Sequence, residues 1–102
     1  MEKGFICIQE YLEITKFLIN SGKVPVEKGF VLVSKDILSR FLSRNGYETA
    51  ENKLRIWNRL HWIDADPGRH TKKVSINGKS RRYVKIDEKV YLTLNELFGK
   101  EI

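Results

Sequence analysis

The dipeptide Asn77-Gly78 stands between two runs of β-favouring residues, Lys73-Val74-Ser75-Ile76 and Arg82-Tyr83-Val84-Lys85-Ile86. Asn and Gly accept the positive φ angles that a tight turn between two strands requires, so this segment is predicted to fold back on itself as a β-hairpin. The same segment carries the charge. From Pro67 to Ile86 the chain has Arg69, Lys72, Lys73, Lys79, Arg81, Arg82 and Lys85 and no Asp or Glu, whereas the other 82 residues hold twelve bases and thirteen acids. The net charge of +6 therefore sits on one limb of about +7 attached to a near-neutral body. A limb of that kind suits a polyanionic partner.

At 102 residues, with 41% hydrophobic and 31% charged side chains, the chain is expected to form one domain spanning 1–102 around a single core. Its apolar runs, such as Phe30 to Val33, are far shorter than the roughly 20 residues of a bilayer span, and Glu2-Lys3-Gly4 does not lead into a signal-peptide core. A cytoplasmic protein without membrane attachment is expected. Cys7 has no second cysteine to pair with, and its neighbours Phe5, Ile6 and Ile8 point to a buried, inert thiol.

Apolar residues at Ile8, Tyr11, Leu12, Ile14, Leu18 and Ile19 follow a helical period that Ser21-Gly22 ends and Pro25 keeps from resuming. Phe30-Val31-Leu32-Val33 reads as a strand. Ser34 is a plausible N-cap for a second helix carrying Ile37, Leu38, Phe41 and Leu42, which is expected to stop at Asn45-Gly46 in left-handed backbone. Thr49 caps a third helix that runs to about His61, with Glu51 in its first turn, and Asp66-Pro67-Gly68 makes the next turn. After the hairpin, Asp87-Glu88 looks like the acidic start of a last helix with Val90, Tyr91, Leu94, Leu97 and Phe98 along one side. Val90 to Leu94 also fits a strand.

This succession, helix, strand, helix, helix and β-hairpin with a C-terminal helix, is an α+β order that resembles the winged helix-turn-helix family over roughly Ile8 to Ile86, with residues 69–86 as the wing. The run SRFLSRNGYETAENKLRIWNRLHWIDAD followed by KKVSINGKSRRYVKI is similar, more narrowly, to the small winged-helix accessory proteins of clostridial conjugative plasmids, relaxosome components that bind the origin of transfer. The family resemblance implies a third helix in the major groove and a wing on the backbone or in the adjacent minor groove. It also implies a homodimer or repeated copies on a duplex DNA site, for which the apolar excess at Tyr11, Ile14, Leu18, Val90 to Leu94 and Phe98 would supply the contact. A relaxase or other DNA-processing protein would be a further partner.

Counting 100° per residue from Ala50 puts Ala50, Leu54, Trp57, Leu60 and His61 on the core side of the third helix, and Glu51, Asn52, Arg55, Asn58 and Arg59 opposite. A guanidinium can donate twice to guanine, and a side-chain amide can donate to and accept from adenine, so Asn52, Arg55, Asn58 and Arg59 suit base reading. The plainer alternative is a solvated face with Glu51 and Arg55 paired at i, i+4. Trp57 and Trp62 read as core residues rather than stacking platforms.

On the hairpin, Val84 and Ile86 share a strand face with Arg82, while Arg81, Tyr83 and Lys85 share the other. A two-residue turn puts Val74 opposite Arg81, and a three-residue turn puts it opposite Arg82, giving the more coherent apolar side. Arg81 or Arg82 would enter a narrow minor groove, and Lys72, Lys73, Lys79 and Lys85 would meet phosphates, with Arg69 and Asn77 alongside. Edge protection against strand aggregation is the competing account, but it does not explain seven bases without an acid.

Catalysis is not expected. His61 and His70 are the only histidines and have no ligand partners at metal-site spacing, so no metal or cofactor is expected. His61 reads as a packed helix-end residue, His70 as a solvated or DNA-facing one, and Asp64 and Asp66 as turn residues. The function expected is sequence-specific binding to double-stranded DNA, at an origin of transfer by the narrower resemblance. A transcriptional regulator or an excision or replication accessory protein fits the same physics, while a winged-helix protein adaptor and a structured-RNA binder are the readings from other classes.

Overall fold

The first helix reaches further toward the N-terminus than Ile8, and Cys7 continues its inward-facing stripe. In a computed structural model, which describes residues 3–99, helix α1 spans Lys3–Ser21 and ends at Gly22 in left-handed backbone, φ 67°. Strands β1 (Val26–Glu27) and β2 (Phe30–Val33) follow, then helices α2 (Lys35–Leu42) and α3 (Ala50–Arg59). Strands β3 (Ile63–Asp64), β4 (Lys72–Ile76) and β5 (Lys79–Asp87) lead into α4 (Glu88–Phe98). The described residues thus form a mixed α+β fold of four helices and a small antiparallel sheet, ordered β1-β2-β5-β3 with β4 also on β5. None of the helices is long and apolar enough to cross a membrane.

The expected caps form. Ser34 Oγ accepts from the Ile37 amide at 3.2 Å, Thr49 Oγ1 from the Asn52 amide at 3.1 Å, and the Asp87 carboxylate from Lys89 and Val90, so residues 90–94 are helix rather than strand. Strand β1 was not foreseen. Its turn, Lys28-Gly29, has both φ angles positive, which matches a tight two-residue connection to β2.

Helix α2 stops at Leu42, short of Asn45-Gly46, and neither of those two residues adopts positive φ. A side chain replaces the left-handed cap. Lys53, fully buried on α3, donates from Nζ to the carbonyls of Leu42 (2.6 Å) and Asn45, satisfying oxygens that a helix end leaves without partners. The same ammonium pairs with Glu10 Oε2 of α1 at 2.9 Å and lies 4.3 Å from the centre of the Tyr47 ring. Tyr47 in turn donates to Glu10 Oε1 at 2.8 Å. Burial, then the bond to Glu10, push the Tyr47 hydroxyl well above the ordinary range of a phenol, so it stays a donor.

Around this polar knot lies the core. Tyr11 meets Trp57 edge to face at 5.0 Å and Trp62 at 4.6 Å, against Leu38, Leu42 and Leu54 and the inward sheet residues Val31, Val33, Val84 and Ile86. Tyr11 also donates to the Asp87 carbonyl at 3.0 Å, tying α1 to the start of α4. Cys7 is buried, and desolvation raises its thiol pKa, in keeping with an inert role.

Several core assignments change. Leu60 is 49% exposed and His61 lies on the surface, because α3 ends at Arg59 and His61 adopts left-handed φ of 60°. His61 N–H then bonds Asn58 O at 3.1 Å and Trp62 N–H bonds Trp57 O at 2.9 Å, a Schellman closure with histidine where glycine is usual. Leu97 is 67% exposed and leaves the apolar side of α4. Tyr11, Ile14 and Leu18 are buried within the chain itself, so they present no surface to a second copy.

The hairpin uses the two-residue turn. Asn77 (φ 52°) and Gly78 (φ 79°) both adopt positive φ, Ile76 pairs with Lys79 and Val74 with Arg81, not Arg82 as the three-residue register would have it. Val74 and Ile76 therefore share the Tyr83 face, opposite Val84 and Ile86. The apolar-side argument failed because Val84 and Ile86 are covered where β5 pairs with β2 and β3, whereas β4 pairs with β5 farther out, along Lys79 to Tyr83.

The buried pair gives the stability prediction. Lys53→Ala leaves Glu10 uncompensated and is expected to cost about 3–5 kcal/mol in urea denaturation, with Lys53→Met plus Glu10→Gln recovering most of it. A single-variant loss below about 1 kcal/mol would show that the pair does not hold the fold.

Candidate nucleic-acid interface

Three segments carry the predicted contact residues: the outer face of α3, the excursion between β3 and β4, and the hairpin. On α3, Glu51, Arg55 and Arg59 are exposed and Asn52 and Asn58 half-buried. Arg55 donates to Asn52 Oδ1 at 2.9 Å, and Asn52 Nδ2 donates to Glu48 at 3.0 Å. The Glu51–Arg55 pair of the plainer alternative is not among the ion pairs of the described residues. Glu51 instead holds His70 Nε2 at 3.0 Å and Lys35 Nζ of α2 at 3.5 Å. Desolvation acts to raise the Glu51 pKa, but Lys35 and then His70 outweigh it and hold the carboxyl below its ordinary range. An acid at the leading end of the helix face is thereby offset by two neighbours.

The excursion has an unusual register. Asp64 pairs with Lys85 and Lys72 with Tyr83, so residues 65–71 oppose Val84 alone. They form a loop closed at its neck by Asp66 N–H to Thr71 O (3.1 Å) and braced by Arg69 N–H to Asp66 O (3.0 Å), with Gly68 at φ 73° supplying the turn. From this neck the loop reaches α3: Asn58 Nδ2 donates to Arg69 O at 3.1 Å, and His70 meets Glu51. His70 is thus neither solvated nor turned outward. Its side chain is only 14% exposed, and its Nδ1 is buried without a partner among the described residues.

The limb's cations divide into two sets. Lys72 (3.1 Å) and Lys85 (3.4 Å) both hold Asp64, and Lys85 also lies 4.2 Å over the Phe30 ring. Arg82 pairs with Asp66 and donates to Thr71 Oγ1 (2.9 Å) and Thr71 O (3.0 Å). Asp64 and Asp66 are thus counter-charges to the limb as well as turn residues. Lys73, Lys79 and Arg81 on the hairpin, Arg69 on the loop and Arg55 and Arg59 on α3 are exposed, with no ion pair to an acid among the described residues. Asn77 is exposed at the turn.

The structure therefore brings Asn58 of α3 against Arg69, keeps Asn52, Arg55 and Arg59 on the same helix, leaves Lys73, Asn77, Lys79 and Arg81 exposed on the hairpin, and pairs Lys72 and Arg82 with Asp64 and Asp66. Lys35 and His70 were missed as partners of Glu51. No local pattern marks them, because Lys35 reaches Glu51 from α2 and His70 reaches it only when the loop crosses to α3. No protein-family model matches the chain, and no curated protein matches it.

Asp64 supplies a pH test. Desolvation raises its pKa, but Lys72 and then Lys85 outweigh that and hold the carboxyl below its usual value. A depressed carboxylate stabilises the fold above the unfolded pKa of about 4 and loses that contribution as pH falls through the folded value. Asp64→Asn should therefore be less stable than the wild type at pH 7, with the gap shrinking at pH 3 in parallel denaturation curves. A gap that is constant with pH would exclude the pairing as its source.

Proposed function

We propose that the chain is a sequence-specific double-stranded DNA-binding protein of the winged helix-turn-helix type, with α2 and α3 as the helix pair and β4–β5 as the wing. The observation that supports it most is the sorting of cations: Arg55, Arg59, Arg69, Lys73, Lys79 and Arg81 are exposed and without acid partners among the described residues, while buried Lys53 pairs with Glu10 and the more accessible Lys72, Lys85 and Arg82 are neutralised by Asp64 and Asp66. Arg69, Lys73, Lys79 and Arg81 thereby leave positive charge without a counter-charge on the limb, which suits a polyanionic partner. On this reading Asn52, Arg55, Asn58 and Arg59 of α3 meet base edges, and the hairpin and Arg69 meet the backbone.

The resemblance to clostridial relaxosome accessory proteins directs the proposal to an origin of plasmid transfer, where two or more copies would fix a register on the duplex and offer a surface to a relaxase. Regulation of a mobile element's transcription, excision or replication would use the same interface. The chain acts here by binding, with any strand cleavage left to the partner. A homodimer on the DNA belongs to the same proposal, and mass measurements across concentration, free and DNA-bound, test it.

Four to six phosphate contacts per protomer should give a slope of about −4 to −5 in log affinity against log salt. Arg55→Ala with Arg59→Ala is expected to relax discrimination between duplex sequences by about 1–3 kcal/mol per lost base contact. A binding constant flat across salt, or equal affinity for duplex, single strand and RNA, would remove the proposal, and absence of all nucleic-acid binding would favour a protein adaptor.

A further inference from the structure

Arg82 and Arg81 are exposed neighbours on β5 that differ in their partners. Arg81 is exposed beside Val74 with no acid partner among the described residues, whereas Arg82 spends its guanidinium on Asp66 and on both oxygens of Thr71. Those partners are the two ends of the loop neck. A planar fork of donors can hold a carboxylate, a hydroxyl and a carbonyl at once, which a lysine ammonium on a flexible stem does less well. On its far side the loop is held to α3 by Asn58 and Glu51. The loop is therefore the piece that links the helix surface to the hairpin surface, and Arg82 is what fastens it to the hairpin.

The geometry points to Arg82 as a positioning residue that sets the placement of Arg69 and of α3 relative to the hairpin, and not as a contact to DNA. This rests on the DNA-binding reading for its consequence, while the clamp itself is testable without DNA.

The experiment compares Arg81→Ala, Arg82→Ala, Arg82→Lys and Asp66→Asn, each checked for folding by circular dichroism. Amide hydrogen exchange at Asp66 and Arg69 is followed in the free proteins, and duplex affinity is measured over a range of salt. Arg81→Ala should lower the magnitude of the salt slope by about 0.9, as loss of one phosphate contact does, and leave loop exchange unchanged. Arg82→Ala should leave the slope as in the wild type, reduce affinity about tenfold at every salt concentration, and speed exchange of both amides. Arg82→Lys, which keeps the charge and loses the fork, should behave like Arg82→Ala. Asp66→Asn opens the clamp from its other side and should speed the same two amides; with Arg82→Lys it carries the test if Arg82→Ala does not fold. A slope reduced by about 0.9 in Arg82→Ala and restored in Arg82→Lys would overturn the proposal, as would unchanged exchange in Arg82→Ala and Asp66→Asn. If the wild type binds no duplex, the DNA reading falls alone, and the two exchange measurements still decide the clamp.

Discussion

A lysine ammonium in the interior holds the helical half of this molecule together. Lys53 meets Glu10 from α1 and two carbonyls at the end of α2, while being itself a residue of α3, so one charge fixes three helices. Removing an ion pair from water is costly, and the cost is offset only where the remaining polar atoms are also satisfied. Tyr47 completes that requirement by donating to the second Glu10 oxygen. The angle at which α3 leaves the turn follows from this knot as much as from the apolar packing of Leu42, Leu54 and Trp57.

From that fixed helix outward, the charges follow a simple division. Acids close to the sheet, Asp64 and Asp66, take up the cations nearest to them, and what lies beyond their reach stays exposed. The surplus of the basic limb is therefore smaller at its root than a count along the chain implies, and greater toward its tip. Glu51 follows the same logic on α3, where Lys35 and His70 surround the one acid on the outer face.

Much of the architecture was legible because local chemistry and final structure agree. Ser34, Thr49 and Asp87 are good caps and do cap, and the Phe30–Val33 strand and the Asn77-Gly78 turn lie where β-branched residues and positive φ put them. Features that depend on partners distant in sequence were the ones hidden. Lys53 gives no sign of burial until Glu10, 43 positions away, is brought beside it. Arg82 was read as a groove residue from its place near the hairpin tip, and its bond to Asp66, 16 positions away, was not visible. His61 was assigned inward by helical phase, which ceases to apply once the helix ends at Arg59.

The pairing of β3 and β4 with the same strand has a consequence for how such a chain can change. Since residues 65–71 stand opposite a single residue of β5, the loop can gain or lose length without slipping the ladder on either side. Every such change would shift Arg69 across the end of α3 while the core stayed as it is. A change in loop length would thus fall on the spacing between the exposed face of α3 and the hairpin, and not on the packing beneath them.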